Sequence, residues 1–163
     1  MSRPPFTLDP DDERRLAASL FNHAWELLER GDRTAMDDDE MVHTAHASRA
    51  HWGVVGGPVH WTRGEWQCSR VYAVLGRAEP ALHHARRCLA LAEAHDLGAF
   101  DLGYGHEALA RAYALAGSTE DAGRHLAAGY AALAEITDDE NRALLESDLA
   151  SLGGAQAEGA PAS

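Results

Sequence analysis

The segment Arg70–His84 returns 41 residues later as Arg111–His125. Arg70, Tyr72, Ala73, Gly76, Glu79, Ala81 and His84 recur as Arg111, Tyr113, Ala114, Gly117, Glu120, Ala122 and His125. A period of about 20–50 residues marks a unit that cannot bury its own apolar face and stacks on copies of itself. The repeat therefore constrains architecture before any chemical motif is considered.

Helix punctuation follows the same beat. Asp9, Pro10, Asp11, Asp12 and Glu13 suit the opening of a first helix, which Gly31 ends. The acidic run Asp37–Glu40 opens a second, expected to reach Trp52 before Gly53 and the turn at Gly56, Gly57 and Pro58. Pro58 begins a third that stops at Gly76, and Pro80 lies in the first turn of a fourth reaching His95. Asp101 starts a fifth that stops at Gly117, Ser118 with Asp121 resembles a capping box for a sixth, and Asp138 starts a seventh closing near Leu152. No segment alternates with period two, so no sheet is expected. The expected fold class is all-α, with antiparallel hairpins formed by helices one and two, three and four, and five and six, and a C-terminal capping helix. Residues 1–8 are expected to be a flexible N-terminus and 9–152 a single domain. The stretch 153–163 has no large apolar residue to bury and is expected to be a disordered tail.

At 163 residues with a formal charge of −12, one acidic domain is expected. Its mean field repels phosphate backbones and anionic lipid, so neither nucleic acid nor membrane is an expected partner. No apolar run approaches the roughly 18 residues of a membrane span, and Met1–Pro10 lacks a signal-peptide apolar region. A cytoplasmic location is the expectation. Cys68 and Cys88 form no CxxC pattern and read as small core residues.

The spacing Tyr72, Gly76, Ala81, Ala85, Cys88 and its partner Tyr113, Gly117, Ala122, Leu126, Gly129 resembles the tetratricopeptide-repeat pattern, over residues 65–136. The period of 41 exceeds the family's usual value of about 34. Ser69 and Ala110 stand where a first-helix glycine is usual, and no closing proline follows either unit. The stretch Arg63–Arg77 is also similar to that of uncharacterised bacterial proteins with tetratricopeptide-like repeats. The resemblance implies stacked hairpins whose first helices line a concave surface. It implies no activity.

On that surface, helical spacing separates a packing stripe on helix three, Cys68, Tyr72 and Leu75, from Arg63, Trp66, Gln67 and Arg70 opposite. Helix five divides likewise into Leu109, Tyr113 and Ala116 against Tyr104, Glu107 and Arg111, while helix one offers Phe21, Asn22 and Trp25. Guanidiniums match carboxylate or phosphate oxygens in pairs, and aromatic rings add flat apolar contact. The expected groove, lined by Asn22, Trp25, Arg63, Trp66, Gln67, Arg70, Tyr104, Glu107 and Arg111, would hold an acidic peptide or a small anionic molecule. Alternatively, Glu107 pairs with Arg111 four residues on, and the arginines are ordinary ion pairs.

Ten histidines include His43 and His46, spaced with Glu40 so as to lie near one face of helix two. His23 and Glu26 on helix one could complete a divalent metal site of the kind helical bundles employ, which would make the chain a small metal-dependent enzyme. Carboxylate-paired histidines are the plainer alternative, and no other cofactor is signalled. There is no P-loop, GxGxxG, HExxH or GxSxG. Helix one carries two apolar faces, Leu16, Leu20, Leu27 and Phe21, Trp25, Leu28, which offers a third reading as a homodimeric scaffold.

Overall fold

The computed structural model describes residues 7–157, all of whose regular structure is helical. Seven helices follow in order: α1 (Pro10–Glu29), α2 (Ala35–Val55), α3 (Pro58–Val74), α4 (Ala78–Ala94), α5 (Ala99–Leu115), α6 (Thr119–Ala134) and α7 (Asp139–Ala157). They pack as three antiparallel hairpins, α1 with α2, α3 with α4 and α5 with α6, and α7 closes the array against α5 and α6. α1 touches α3, α3 packs on α5 and α5 on α7; among the described residues the backbones of α2, α4 and α6 stay apart, although the His46 ring of α2 meets the His84 ring of α4 at 5.1 Å. The odd helices thus form the closer layer, and each even helix also packs on the odd helix that follows it.

The repeat is visible as duplicated geometry. Gly76 and Gly117 adopt φ of 71° and 78°, a left-handed turn that suits glycine. The N–H groups of Arg77 and Ser118 then close the turns on the carbonyls of Tyr72 and Tyr113, both at 2.9 Å. Tyr72 stacks on His84 and Tyr113 on His125, each pair 7° from parallel. Ala81 and Ala122 are fully buried where each second helix crosses its first.

Several boundaries differ from expectation. α2 begins at Ala35 because Thr34 caps it: the Asp37 N–H donates to Thr34 Oγ1 at 3.2 Å, and the Thr34 N–H donates to Asp37 Oδ2 at 2.8 Å. The same helix runs past Trp52 to Val55. Ser118 Oγ donates to the Asp121 carboxylate rather than capping backbone, whereas Asp138 does cap α7 through the Asn141 N–H. α7 continues to Ala157, into the stretch expected to be disordered from 153. Residues 158–163 of that tail, and 1–6 of the expected flexible N-terminus, lie outside the described residues. No described helix is long and apolar enough to cross a membrane.

Small residues set the interhelical distances. A Cβ at Gly105 would lie 3.0 Å from the Leu89 Cα, so α4 and α5 approach closely there, whereas one at Gly123 on α6 would meet nothing within 4 Å. Gly105→Leu is expected to cost about 1–3 kcal/mol through overpacking, while Gly123→Ala gains about 0.5–1 kcal/mol. Urea unfolding of both variants checks this; equal effects would mean that α4 and α5 are not in contact at Gly105.

Candidate functional site

The odd helices enclose a cavity of about 350 Å³. Side chains three or four residues apart on a helix share a face, and each helix contributes such a set: Phe21 and Trp25 from α1, Thr62, Arg63 and Trp66 from α3, Phe100, Asp101 and Tyr104 from α5, and Leu144 and Asp148 from α7. Cys88 of α4 completes the wall. The rings form a continuous run, with centroids 5.4 Å apart for Trp25 and Trp66, 5.3 Å for Trp66 and Tyr104, and 5.0 Å for Tyr104 and Phe100. A second hollow of about 200 Å³, which includes Asn22, shares Phe21 and Arg63 with the first.

The polar groups of the wall are mostly engaged. Arg63 donates to both Asp101 oxygens, from Nε at 2.9 Å and Nη2 at 3.3 Å, while its guanidinium lies over the Phe100 ring. The Tyr104 hydroxyl donates to Asp148 Oδ2 at 2.9 Å. Burial, then the Asp148 charge and that hydrogen bond, push the Tyr104 pKa well up, so the phenol keeps its proton. Burial likewise pushes the Cys88 thiol up, which removes it as a nucleophile at neutral pH. Cys68, packed between hairpins, is pushed up to about 12 for the same reason.

Behind the wall sits a fully buried carboxylate, Glu107. It accepts hydrogen bonds from Trp66 Nε1 at 2.8 Å and Arg111 Nε at 2.8 Å, and Arg70 Nη1 lies 3.7 Å away. The two repeat-equivalent arginines do converge, but on Glu107 and not on an open groove. Burial first, and then the Arg111 charge, lower the pKa of Arg70, whose Nη1 has no hydrogen-bond partner among the described residues. Gln67 is not a groove residue either: it is fully buried, and its Nε2 donates to the Phe21 carbonyl of α1. Trp66 is 8% exposed and belongs to the core, presenting only part of its ring to the cavity. Of the expected groove residues, Trp25, Arg63, Trp66 and Tyr104 are brought together, Asn22 lines the neighbouring hollow, and Gln67, Glu107, Arg70 and Arg111 form the support behind.

Phe100, Asp101, Leu144 and Asp148 were missed. Asp101 marks a helix start in the sequence, and its place three residues before Tyr104 is the signal that puts it on the same face. Nothing local singles out Asp148, because the sequence makes α7 a cap, whereas it packs on α5 in the place of a fourth first helix. Of the two apolar faces of α1 on which the homodimer reading rests, the second places Phe21 and Trp25 at the cavity.

The expected metal cluster divides. His23 lies between two carboxylates, Nε2 at 2.6 Å from Glu40 and Nδ1 at 3.3 Å from Glu26. The hydrogen bond with Glu40, and then that with Glu26, raise the His23 pKa, which favours the imidazolium over the neutral ring a metal requires. His46 faces elsewhere, 2.9 Å from the Tyr72 hydroxyl, and His43 is exposed. Among the described residues, no three His, Cys, Asp or Glu side chains are grouped to hold a metal ion.

A second buried carboxylate, Glu65, joins α2, α3 and α4. His84 Nδ1 lies 2.7 Å from its Oε2, and Arg49 Nε and Arg87 Nε lie 3.0 Å and 3.1 Å from its Oε1. Burial alone would raise its pKa, but the His84 hydrogen bond and the Arg87 and Arg49 charges outweigh that and hold it at about 2. At the equivalent place 41 residues on, His106 and His125 bring their Nδ1 atoms within 3.1 Å between α5 and α6, and burial together with mutual repulsion lowers the His106 pKa.

The fold and cavity thus define an all-α array of helical hairpins with an aromatic hollow in its odd-helix layer. No family model, curated protein or solved structure matches this chain.

Proposed function

We propose that this chain is a binding module whose aromatic cavity takes a small, largely apolar molecule. The observation that carries this reading is the continuous run of rings from Trp25 through Trp66 and Tyr104 to Phe100 around about 350 Å³. Small-molecule sites are typically concave, about 300–1,000 Å³, and apolar with a few placed polar groups. The support is rigid: Trp66 is fixed through its indole N–H by Glu107, and Tyr104 through its hydroxyl by Asp148. Pre-formed walls lose little side-chain entropy when a ligand arrives.

The arginine pattern suggests an acidic peptide or a small anion. Such a ligand would compete for Arg63 with Asp101, and Arg70 and Arg111 already surround Glu107. The reading therefore rests on the apolar body of the ligand.

The neutral fluorophore N-phenyl-1-naphthylamine tests it. Its emission is expected to rise on mixing with the protein. Leu144→Trp is expected to weaken its affinity at least about tenfold, because Leu144 is a 57% exposed wall residue where a larger ring obstructs the cavity without touching the core. Thermal unfolding of that variant should match the parent. No binding by the parent, or equal binding by the variant, would remove the reading.

A further inference from the structure

We propose that the occupant of this cavity is an organic cation, an ammonium group carried on an apolar body. The inference rests on the binding reading above and adds the sign of the ligand's charge.

Three observations carry it. The first is the wall itself: Trp and Tyr rings attract cations to their faces, and more strongly when water is excluded. The second is Asp148, which reaches the cavity from α7. Its Oδ2 accepts the Tyr104 hydroxyl, and among the described residues no arginine or histidine nitrogen comes within 4.0 Å of its carboxylate. The other acidic wall residue, Asp101, is spent on Arg63. Tyr104 can only donate to Asp148, which fixes the carboxylate and leaves Oδ1 to accept a bond or charge from a ligand.

The third is the disposition of the surrounding charges. Among the described residues Arg63 is the one cation in the wall, and Asp101 neutralises it; Arg70 and Arg111 stand behind the rings around Glu107. Arg70 is near enough to act on Asp148 at longer range, and it shares that field with Glu107. Within the wall the sum is one negative charge and the group behind the rings adds one positive, in a chain whose formal charge is −12. Such a field draws cations toward the opening and repels anions.

Three probes of nearly equal shape separate charge from bulk: benzyltrimethylammonium, its uncharged isostere neopentylbenzene, and the anion phenylmethanesulfonate. Affinities are measured by calorimetry and by displacement of N-phenyl-1-naphthylamine from the full chain. The cation is expected to bind at least tenfold more tightly than the uncharged isostere, and the anion most weakly. Asp148→Asn, which retains an acceptor for Tyr104, is expected to weaken the cation about tenfold and leave neopentylbenzene within twofold. Equal affinity of cation and isostere, preference for the anion, or an Asp148→Asn variant that binds the cation undiminished would overturn the proposal. If the fluorophore itself fails to bind, the cavity reading falls as well. If it binds and only the isostere displaces it, the assignment of charge alone falls.

Discussion

Glu107→Leu is expected to lower folding stability by about 3–5 kcal/mol, the cost of leaving buried charges without their partner. Glu107 is fully buried and is the acceptor for both the Trp66 indole and Arg111, with Arg70 beside it. Leucine fills most of the volume, so the loss measures the unpaired guanidiniums and the orphaned indole N–H. Arg70 and Arg111 keep 23% and 20% of their side chains exposed, which places the expectation toward the lower end of that range. Glu107→Gln retains an acceptor for Trp66 and should cost less. Replacing all three members, Glu107→Leu with Arg70→Met and Arg111→Met, should recover most of the loss, because an apolar cluster of similar size has no charge to desolvate. Urea unfolding at neutral pH measures each variant. A single-variant cost below about 1 kcal/mol would show that the triad contributes nothing particular to the fold.

The second large effect is set by acid. The folded-state pKa of Glu65 is held at about 2, against 4.5 for the ordinary side chain. A depressed carboxylate contributes stability that is fully present above pH 4.5 and is lost as pH falls from 4.5 toward 2. The amount is on the order of 3 kcal/mol. Many other carboxylates titrate in the same window, so the difference between the parent and Glu65→Gln isolates this one. Stability measured in urea at pH 6 and pH 2.5 should show the parent losing on the order of 3 kcal/mol more than the variant. Parallel losses would mean that the contacts of Glu65 with His84, Arg49 and Arg87 do not hold its charge in solution.

The architecture was legible because its signals are local. Gly76 and Gly117 each require a left-handed backbone, and the tyrosine and histidine around each glycine recur at the same offsets, so a shared turn and a shared ring stack follow from sequence. The seven helices could be counted from prolines, glycines and acidic first turns. The ends of α2 and α7 were misplaced because Gly53, Gly153 and Gly154 were read as breaks, whereas all three lie within helices.

The site was half legible, for two geometric reasons. Dividing α3 and α5 into a packing face and an open face presumes neighbours on one side, but α3 meets α1, α2, α4 and α5. Trp66 and Gln67 are therefore interior despite their place on the opposite stripe. Glu107 pairs with Arg111 as the four-residue spacing implies, yet nothing local distinguishes that pair from a solvated one; its burial depends on Trp66, 41 residues away. The histidine cluster failed by angle. Steps of three residues each fall about 60° short of a full turn, so Glu40 and His46 end about 120° apart. One reaches His23 on α1, and the other reaches Tyr72 on α3.

The cavity draws on Phe21 near one end of the chain and on Asp148 near the other. During synthesis from the N-terminus, the first three hairpins can assemble while the last helix is still inside the ribosomal tunnel, and at that stage Trp25, Tyr104 and Phe100 face water across a missing wall. The nascent protein is then most prone to self-association at the very surface that will line the cavity. Docking of α7 ends that vulnerable interval and completes the cavity wall in a single event.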